Sequence, residues 1–162
     1  MIVHMLDVYR FSFFDLPFLK IALLLAIFIM FLYGQYLALE AISQNSRKLA
    51  PNDIWFQLIP LFNVYWAFVV VNRLSASFAA EFQRLGIPTN ELYPTRAIGI
   101  SSLILNFASL IPVEELRIVV PLIWLVCFVL YWIQVYKSRK LILANKEYEL
   151  LDVERDALDK TT

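Results

Sequence analysis

The amino-acid sequence predicts an all-α integral membrane protein with four transmembrane helices. Of its 162 residues, 60% are hydrophobic and only 17% are charged, and the mean hydropathy is +0.66. Soluble domains have about 45–50% apolar and about 25% charged residues. The excess is gathered into blocks, each near the length of about 20 residues that crosses roughly 30 Å of hydrocarbon. We therefore expect one four-span membrane domain over residues 1–140 and a charged cytoplasmic tail over residues 141–162.

The first and fourth blocks are the clearest spans, over about residues 16–39 and 117–136. Asp15 is placed to cap the first helix, and Pro17 falls in its first turn, where a missing N–H costs little. The residues ahead of this helix lack a basic region, and no small-residue cleavage site follows it. We therefore expect the helix to remain in place rather than to act as a signal peptide. The fourth block carries Pro121 near its start.

The second block, over residues 54–72, is apolar but carries a proline and an asparagine near its middle. Pro60 lacks an N–H and pushes against the carbonyl of Phe56, which predicts a kink in a continuous second helix. Asn63 lies within a turn of the proline and could bond the freed carbonyls, whereas Gln57 points elsewhere on an ideal helix. Two interpretations stay open: a kinked span patched by an amide, or a discontinuous segment that binds an ion or polar solute in mid-membrane.

The third block, over residues 96–112, and the fourth block have matching stripes of small and polar residues. Such stripes let membrane helices approach closely. The PVEELR segment between the blocks is short enough to fold them into an antiparallel hairpin, which we expect Asn106 to bridge by a hydrogen bond. A solvated path along the seam is the alternative. The stripe of the third block is Gly99, Ser102, Asn106 and Ser109, and that of the fourth is Trp124, Cys127, Tyr131, Gln134 and Ser138.

Residues 73–85 have the pattern of an amphipathic helix that Gly86 ends. Two interpretations stay open for this helix: it continues the second span along the cytoplasmic interface, or it packs against the protein's own helices. The apolar stripe is Leu74, Phe78, Phe82 and Leu85, and the more polar stripe is Arg73, Ser77, Ala80 and Arg84. The candidate contacts to a partner protein are Arg73, Phe78, Phe82 and Arg84.

Charge placement predicts that both termini lie in the cytoplasm. The fourth block ends in the basic cluster YKSRK, and basic residues near span ends favour the cytoplasmic side. Counting back through four crossings places the N-terminus on the same side. Arg47 and Lys48 contradict this orientation because they fall outside. If the second block enters and leaves on one side instead, the parity changes and the N-terminus moves outside.

No catalytic or metal-binding constellation is visible in the sequence, and we predict neither enzyme activity nor a cofactor. His4 is the only histidine, and Cys127 is the only cysteine, so neither a histidine triad nor an internal disulfide can form. The 14 basic and 14 acidic residues cancel, which gives no indication of nucleic-acid binding. The acidic residues fall mostly at span ends and in loops. Glu40 is the exception, and it could pair with Arg47 or Lys48 or line a vestibule.

A motif in the middle of the chain resembles a group of small bacterial multi-span membrane proteins, some of unknown function and some, especially in Bacteroidota, with a GYF-like module. The matching residues are Trp55, Pro60, Phe62, Asn63, Trp66, Arg73, Ser75, Ser77, Glu81 and Phe82, and the likeness covers about residues 47–140. The segment from Tyr131 to Lys137 resembles the last span of that group. The resemblance implies a bacterial inner-membrane protein and no established activity. This chain has no GYF-like module, so a role of that module cannot be transferred.

The sequence therefore favours a non-enzymatic accessory or scaffold subunit, part of a self-assembled oligomer or of a larger envelope complex. Its expected partners are the lipid bilayer and either copies of itself or a larger membrane complex, with no nucleic acid and no small-molecule substrate. The alternative is a small oligomeric channel or transporter-like protein, with a path lined by the broken second span, Gln57 and Glu40. An enzyme that acts on lipid is a distant third hypothesis, because no acid, base or metal set is assembled.

Overall fold

The computed structural model describes residues 17–109 and 113–159, and all regular secondary structure in that part of the chain is helical. The α-helices are α1 (Pro17–Ala41), α2 (Phe62–Arg84), α3 (Arg96–Ala108) and α4 (Val119–Asp159). Two 3₁₀ helices cover Pro51–Leu58 and Glu114–Leu116. The all-α prediction is confirmed for these residues. The expectations for His4, for the cap at Asp15 and for the end of the third block at residues 110–112 lie outside the described residues.

The helices α1 and α4 are long and apolar enough to cross a membrane. The candidate spans are Pro17–Ala41 in α1 and Val119–Leu151 in α4, each of which contains a stretch of 18 strongly apolar residues. In each helix only 11% of the most apolar stretch is buried within the protein, so neither is the enclosed core helix of a soluble domain. The third predicted span is shorter, since α3 has 13 residues.

The second block is not one kinked helix, which corrects the prediction for residues 54–72. The 3₁₀ helix Pro51–Leu58 ends before Pro60, and α2 begins after it at Phe62. Two hydrogen bonds join the arms on either side of the break. The backbone N–H of Lys48 donates to Ser77 Oγ over 2.8 Å, and the indole of Trp66 donates to the carbonyl of Asp53 over 2.8 Å. Residues 48–77 therefore form a helical hairpin whose tip is Ile59–Leu61.

Backbone hydrogen bonds within the turn hold the tip together. The N–H of Ile59 donates to the carbonyl of Phe56 over 3.2 Å, and the N–H of Asn63 donates to the carbonyl of Ile59 over 2.9 Å. The backbone groups beside Pro60 are therefore bonded by the main chain and not, as expected, by the amide of Asn63. The side chain of Asn63 makes no hydrogen bond within the described part of the chain. Leu61 has a φ of +64° and is 89% exposed, so the tip turns sharply and presents an apolar side chain.

The compact packing of the chain belongs to the unit that begins at Leu32. In this unit α3 and α4 form the expected helical hairpin, and α2 packs against both. Gly99 lies at the contact of the three helices, because an ideal Cβ there would be 2.7 Å from Val71 Cγ1 and 2.8 Å from Tyr131 Cε2. The rings of Phe68 and Phe107 stack at 6.0 Å. A residue without a side chain at position 99 therefore allows the helices to meet.

The amphipathic segment 73–85 is the last part of α2, and it packs against the protein's own helices. Leu74 and Phe78 are fully buried, and Phe82 is almost so. Of the two interpretations left open by the sequence, packing within the protein is the one that the structure adopts. Ser75 Oγ donates to the carbonyl of Pro94 over 2.7 Å and fixes the loop that leads into α3.

Candidate functional site

The strongest concentration of charged groups surrounds Glu81, near the end of α2. Its side chain is fully buried, and its carboxylate accepts a hydrogen bond of 2.7 Å from Ser43 Oγ. Arg84 reaches the same carboxylate with Nη2 at 3.1 Å, and Lys146 of α4 reaches it with Nζ at 3.3 Å. A buried carboxylate needs such partners, because its transfer from water is costly unless it is paired and hydrogen-bonded.

The two cations of this group also bind other parts of the chain. Arg84 Nη1 lies 3.3 Å from the carboxylate of Glu149, and Lys146 Nζ donates to the carbonyl of Ala41 over 2.7 Å. The group thus joins the end of α1, the loop after it, the end of α2 and the outer part of α4. We call Ser43, Glu81, Arg84, Lys146 and Glu149 the Glu81 cluster.

The Glu81 cluster stabilises the ionised carboxylate. Burial alone raises the pKa of Glu81, but hydrogen bonds from Arg84, Ser43 and Ser46 outweigh it and lower the pKa to about 2. The bond to Glu81 likewise raises the pKa of Arg84. A carboxylate held so far below neutral is a poor general base, because proton transfer is most effective when the pKa lies near the working pH. The arrangement therefore suits a structural role, in which the ionised carboxylate holds α2, α4 and the loop after α1 together.

Further hydrogen bonds close the base of the hairpin beside the Glu81 cluster. Ser77 is buried; its hydroxyl accepts from the backbone N–H of Lys48 and donates to the carbonyl of Arg73 over 2.7 Å. Arg47 donates to the carbonyls of Ile42 (2.8 Å) and Glu40 (3.0 Å), so a cation neutralises the carboxyl end of α1. The carboxylate of Glu40 instead accepts from the hydroxyl of Tyr36 over 2.7 Å.

A buried amide pair links α1 to the first arm of the hairpin. Gln57 Nε2 donates to Gln35 Oε1 over 2.9 Å, and both side chains are buried. Gln57 also lies 3.4 Å from the carbonyl of Ile54. Amides buried in an apolar environment need such partners. Of the polar residues predicted for the broken second block, Gln57 is therefore joined to another helix, while Pro60 lies at the tip and Asn63 lies in the first turn of α2.

The predicted packing residues of α3 and α4 divide into buried and exposed positions. Asn106 is exposed, and the expected bond across the hairpin does not occur among the described residues. Its carbonyl instead accepts from Ser109 Oγ over 2.6 Å, within the same helix end. Because Asn106 lies on the outer face of α3, the helices meet through the other positions of the stripe. Gly99, Ser102 and Tyr131 are buried, and Cys127 and Gln134 are partly exposed.

The predicted partner contacts on residues 73–85 need correction. Phe78 and Phe82 are buried within the protein, so they are not available to a partner. Arg84 belongs to the Glu81 cluster, and Arg73 is exposed. The predicted interface on this segment is thus mostly an internal one.

Sequence reasoning missed the roles of Gln35, Ser43 and Lys146. A signal for the cluster was present, since Glu81 falls on the same helical face as Phe78 and Phe82 and so had to be buried with a partner. Its partners lie on other elements of the chain, and their positions depend on the reversal at Pro60. The motif residues Ser75, Ser77, Glu81 and Trp66 all make the hydrogen bonds that hold the hairpin and its neighbours.

Beyond these two polar groups, an open groove of about 740 Å³ lies between α2 and the start of α3. Arg96 and Tyr93 line it, with the guanidinium 5.2 Å from the ring centre, and Asn72 and Glu91 add polar atoms. Across the described ranges, no set of His, Cys, Asp and Glu side chains is arranged to hold a metal ion.

Comparison with known proteins gives no assignment. No protein-family model, no curated protein and no solved structure matches this chain. The contacts of the chain itself are therefore the basis of the functional argument.

Proposed function

We propose that this protein is a non-enzymatic membrane subunit whose α4 helix connects the bilayer to a binding partner. The observation that carries the proposal is the length of α4, which continues without a break for 41 residues. At 1.5 Å per residue this is about 60 Å, roughly twice the hydrocarbon thickness. Tyr148, Leu151 and Leu158, in the outer part of the helix, expose 69%, 51% and 63% of their surface. A rigid helix with exposed apolar side chains suits an accessory or scaffold subunit.

The proposal includes an orientation with the N-terminus outside and the C-terminus in the cytoplasm. The contacts of Ser43 with Glu81 and of Lys48 with Ser77 support a second block that enters and leaves on one side. Arg47 and Lys48 then lie on the cytoplasmic side with Arg84, Lys146 and the YKSRK cluster. Basic residues near span ends favour that side. Arg47 and Lys48, which contradicted the four-span orientation, agree with the orientation proposed here. Three crossings, by α1, α3 and α4, replace the predicted four, and α3, with 13 residues, is the short one.

The polar chemistry of the hairpin supports its placement within the membrane. Non-helical backbone at membrane depth is tolerated where it faces protein, and the amide pair Gln35–Gln57 gives the first arm such a contact. The Glu81 cluster stands at the base of the hairpin, where long basic side chains can reach the membrane surface. The charged groups are thus placed where desolvation costs least.

Gentle detergent extraction at native expression, followed by native mass spectrometry, tests this function. The wild-type protein should leave the membrane in a stoichiometric assembly. A truncation that removes residues 151–162 keeps Lys146 and Glu149 and should release the partner without unfolding the membrane part. A wild-type protein found only as a monomer, in detergents that preserve other complexes, would overturn the proposal.

A second candidate, a small oligomeric pore, is favoured by the hairpin itself. Broken segments that enter from one side are used by transporters to bring backbone groups near mid-membrane. Asn63 lies next to the tip, in the first turn of α2, with a partly exposed side chain. Ion flux through reconstituted protein, abolished by Asn63→Leu with the oligomer intact, would support this function. Equal flux with and without protein in the liposomes would exclude it.

A further inference from the structure

The open groove between α2 and the start of α3 is lined by two charges of opposite sign, those of Arg96 and Glu91. Within the described part of the chain, no carboxylate forms an ion pair with Arg96, and no cation forms one with Glu91. The Glu81 cluster, by contrast, pairs its own charges with one another. The two charges of the groove are therefore available to a ligand that carries the complementary pair.

Contacts within the protein hold the charged residues in place at the groove. The guanidinium of Arg96 lies 5.2 Å from the ring centre of Tyr93, which is a cation–π contact. The backbone N–H of Glu91 donates to Thr89 Oγ1 over 3.2 Å, and the carbonyl of Pro94 accepts a hydrogen bond of 2.7 Å from α2. Because these residues are already held, a ligand in the groove loses little binding energy in ordering them.

The groove lies at the level of the membrane surface in the proposed orientation. Arg96 is the first residue of α3, one of the proposed crossings, so it stands at the cytoplasmic end of that helix. This placement does not depend on the hairpin, because the loop before α3 is cytoplasmic whether the second block reverses or crosses. Tyrosine and arginine are residues that lie at the headgroup level, as Tyr93 and Arg96 do here.

One wall of the groove is apolar and continues along α3 toward the hydrocarbon. Ala97 and Ile100 of α3 line it, and so does Leu92, which is 81% exposed. Ile104 lies one turn beyond Ile100 on the same side of the helix and is 56% exposed. Charges at the membrane surface with apolar side chains beneath them suit an amphiphilic ligand, which covers both, better than a soluble one.

The groove has the size of a small-ligand site and not that of a protein interface. Its volume of about 740 Å³ falls within the range of about 300–1,000 Å³ for ligand pockets. Eight residues line it, whereas a stable protein interface uses about 20–30 residues on each partner. The size of the groove therefore favours a single lipid over a second copy of the chain.

We propose that the groove binds the headgroup of a phosphatidylethanolamine molecule from the cytoplasmic leaflet. Arg96 donates to the phosphodiester, since guanidinium groups match phosphate oxygens, and Glu91 accepts hydrogen bonds from the primary ammonium. An acyl chain lies along Ile100 and Ile104. Phosphatidylglycerol has no ammonium to pair with Glu91, and the quaternary ammonium of phosphatidylcholine has no N–H to donate. The two charges of the groove thus select a zwitterion that carries N–H donors.

Competition between lipids tests the proposal. The full-length protein is placed in nanodiscs made mainly of phosphatidylcholine, with equal minor fractions of phosphatidylethanolamine and phosphatidylglycerol, and native mass spectrometry identifies the lipid that it retains. The wild-type protein should retain phosphatidylethanolamine, enriched at least about fivefold over each competitor relative to its fraction in the disc. Retention of the three lipids in proportion to their fractions would overturn the proposal.

Matched variants assign the retained lipid to the groove. Arg96→Gln should remove it, and Glu91→Gln should abolish the preference for phosphatidylethanolamine over phosphatidylglycerol. Arg117 and Glu114 are the controls, because they are exposed charges at the other end of α3 and pair with each other at 3.6 Å. Arg117→Gln and Glu114→Gln should leave the retention unchanged. All four residues are exposed, so the unfolding temperatures should stay close to that of wild type. Equal losses in the groove variants and the control variants would contradict the assignment.

The remaining outcomes overturn the proposal by identifying a different occupant. Preferred retention of phosphatidylglycerol, unchanged by Glu91→Gln, would assign the groove to an anionic lipid. Displacement of the retained lipid by soluble glycerophosphoethanolamine would assign it to a free headgroup compound. A wild-type dimer that Arg96→Gln converts to a monomer would assign it to a second copy. None of these results affects the proposed subunit function, which the truncation of α4 tests separately.

Discussion

The hydroxyl of Ser43 donates a hydrogen bond of 2.7 Å to the carboxylate of Glu81, although a complete reversal of the chain lies between them. This contact places the loop after α1 beside the end of α2. It could not form if the second block ran straight across from one end to the other. The same carboxylate binds Arg84 and Lys146, so a single buried side chain joins three segments.

Replacement of Glu81 by glutamine should destabilise the protein strongly. The variant leaves Lys146 and Arg84 without their shared anion, and the loss should approach about 3 kcal/mol, below the cost for a fully buried pair, because both cations stay partly hydrated. The unfolding free energy in mild detergent, followed by denaturant titration, measures the loss. Glu149→Gln is the control, because this carboxylate is 53% exposed and its pair with Arg84 contributes below about 1 kcal/mol. Similar losses in the two variants would contradict the special role of Glu81.

The stability of the folded state should fall in acid because of Glu81. Its pKa is lowered from 4.5 to about 2 on folding, so the unfolded state binds the proton first. The stabilisation is therefore complete above about pH 5, and it is lost as the pH falls toward 2. The difference corresponds to at most about 3 kcal/mol. Unfolding temperatures of wild type and Glu81→Gln between pH 7 and 2 measure it, and the gap between the two proteins should narrow as the pH falls toward 2.

Gly99→Ala should crowd the contact of α2, α3 and α4. The added Cβ would lie 2.7 Å from Val71 Cγ1, and overpacking of this kind costs about 1–3 kcal/mol. Val71→Ala in the same chain removes one of the clashing groups and should restore part of the stability. Unfolding free energies of the two single variants and the double variant give the coupling. Independent, additive losses would show that the two side chains do not meet.

The amide pair Gln35–Gln57 should show a measurable coupling energy. Either single change to leucine removes the bond between the two amides and leaves the remaining amide with weaker contacts in an apolar site, whereas the double change removes both polar groups. Interhelical hydrogen bonds in membranes average about 0.6 kcal/mol and reach about 1.7 kcal/mol. A double-mutant cycle on unfolding free energies should fall in this range. A coupling of zero would mean that the hydrogen bond is not formed in the bilayer.

The hairpin predicts that the loop after α1 and the loop before α3 lie on the same side of the membrane. In a Cys127→Ala background, single cysteines in place of Asn45 and Asn90 should both be labelled by an impermeant maleimide from the cytoplasmic side only. Both positions are exposed, so access to the reagent is not limited by packing. Labelling of the two positions from opposite sides would show that the second block crosses the membrane, as in the four-span arrangement.

The sequence by itself determined that the described part of the chain is helical and that α1 and α4 contain stretches apolar enough to cross a membrane. Long apolar blocks require membrane-length helices in α1 and α4, since backbone groups in hydrocarbon must bond within their own segment. Pro60 marked the break, because a proline cannot continue the hydrogen bonding of a helix. The periodicity of residues 73–85 identified an apolar face and left open what covers it.

Only the tertiary structure decided the direction of the chain after Pro60. A proline shows that a helix is interrupted, but a kink and a reversal have the same local sequence. The reversal is held by contacts between residues far apart, such as Lys48 with Ser77 and Gln35 with Gln57. The partners of Glu81 follow from the same cause, since Ser43 and Lys146 come near it only after the chain has folded back.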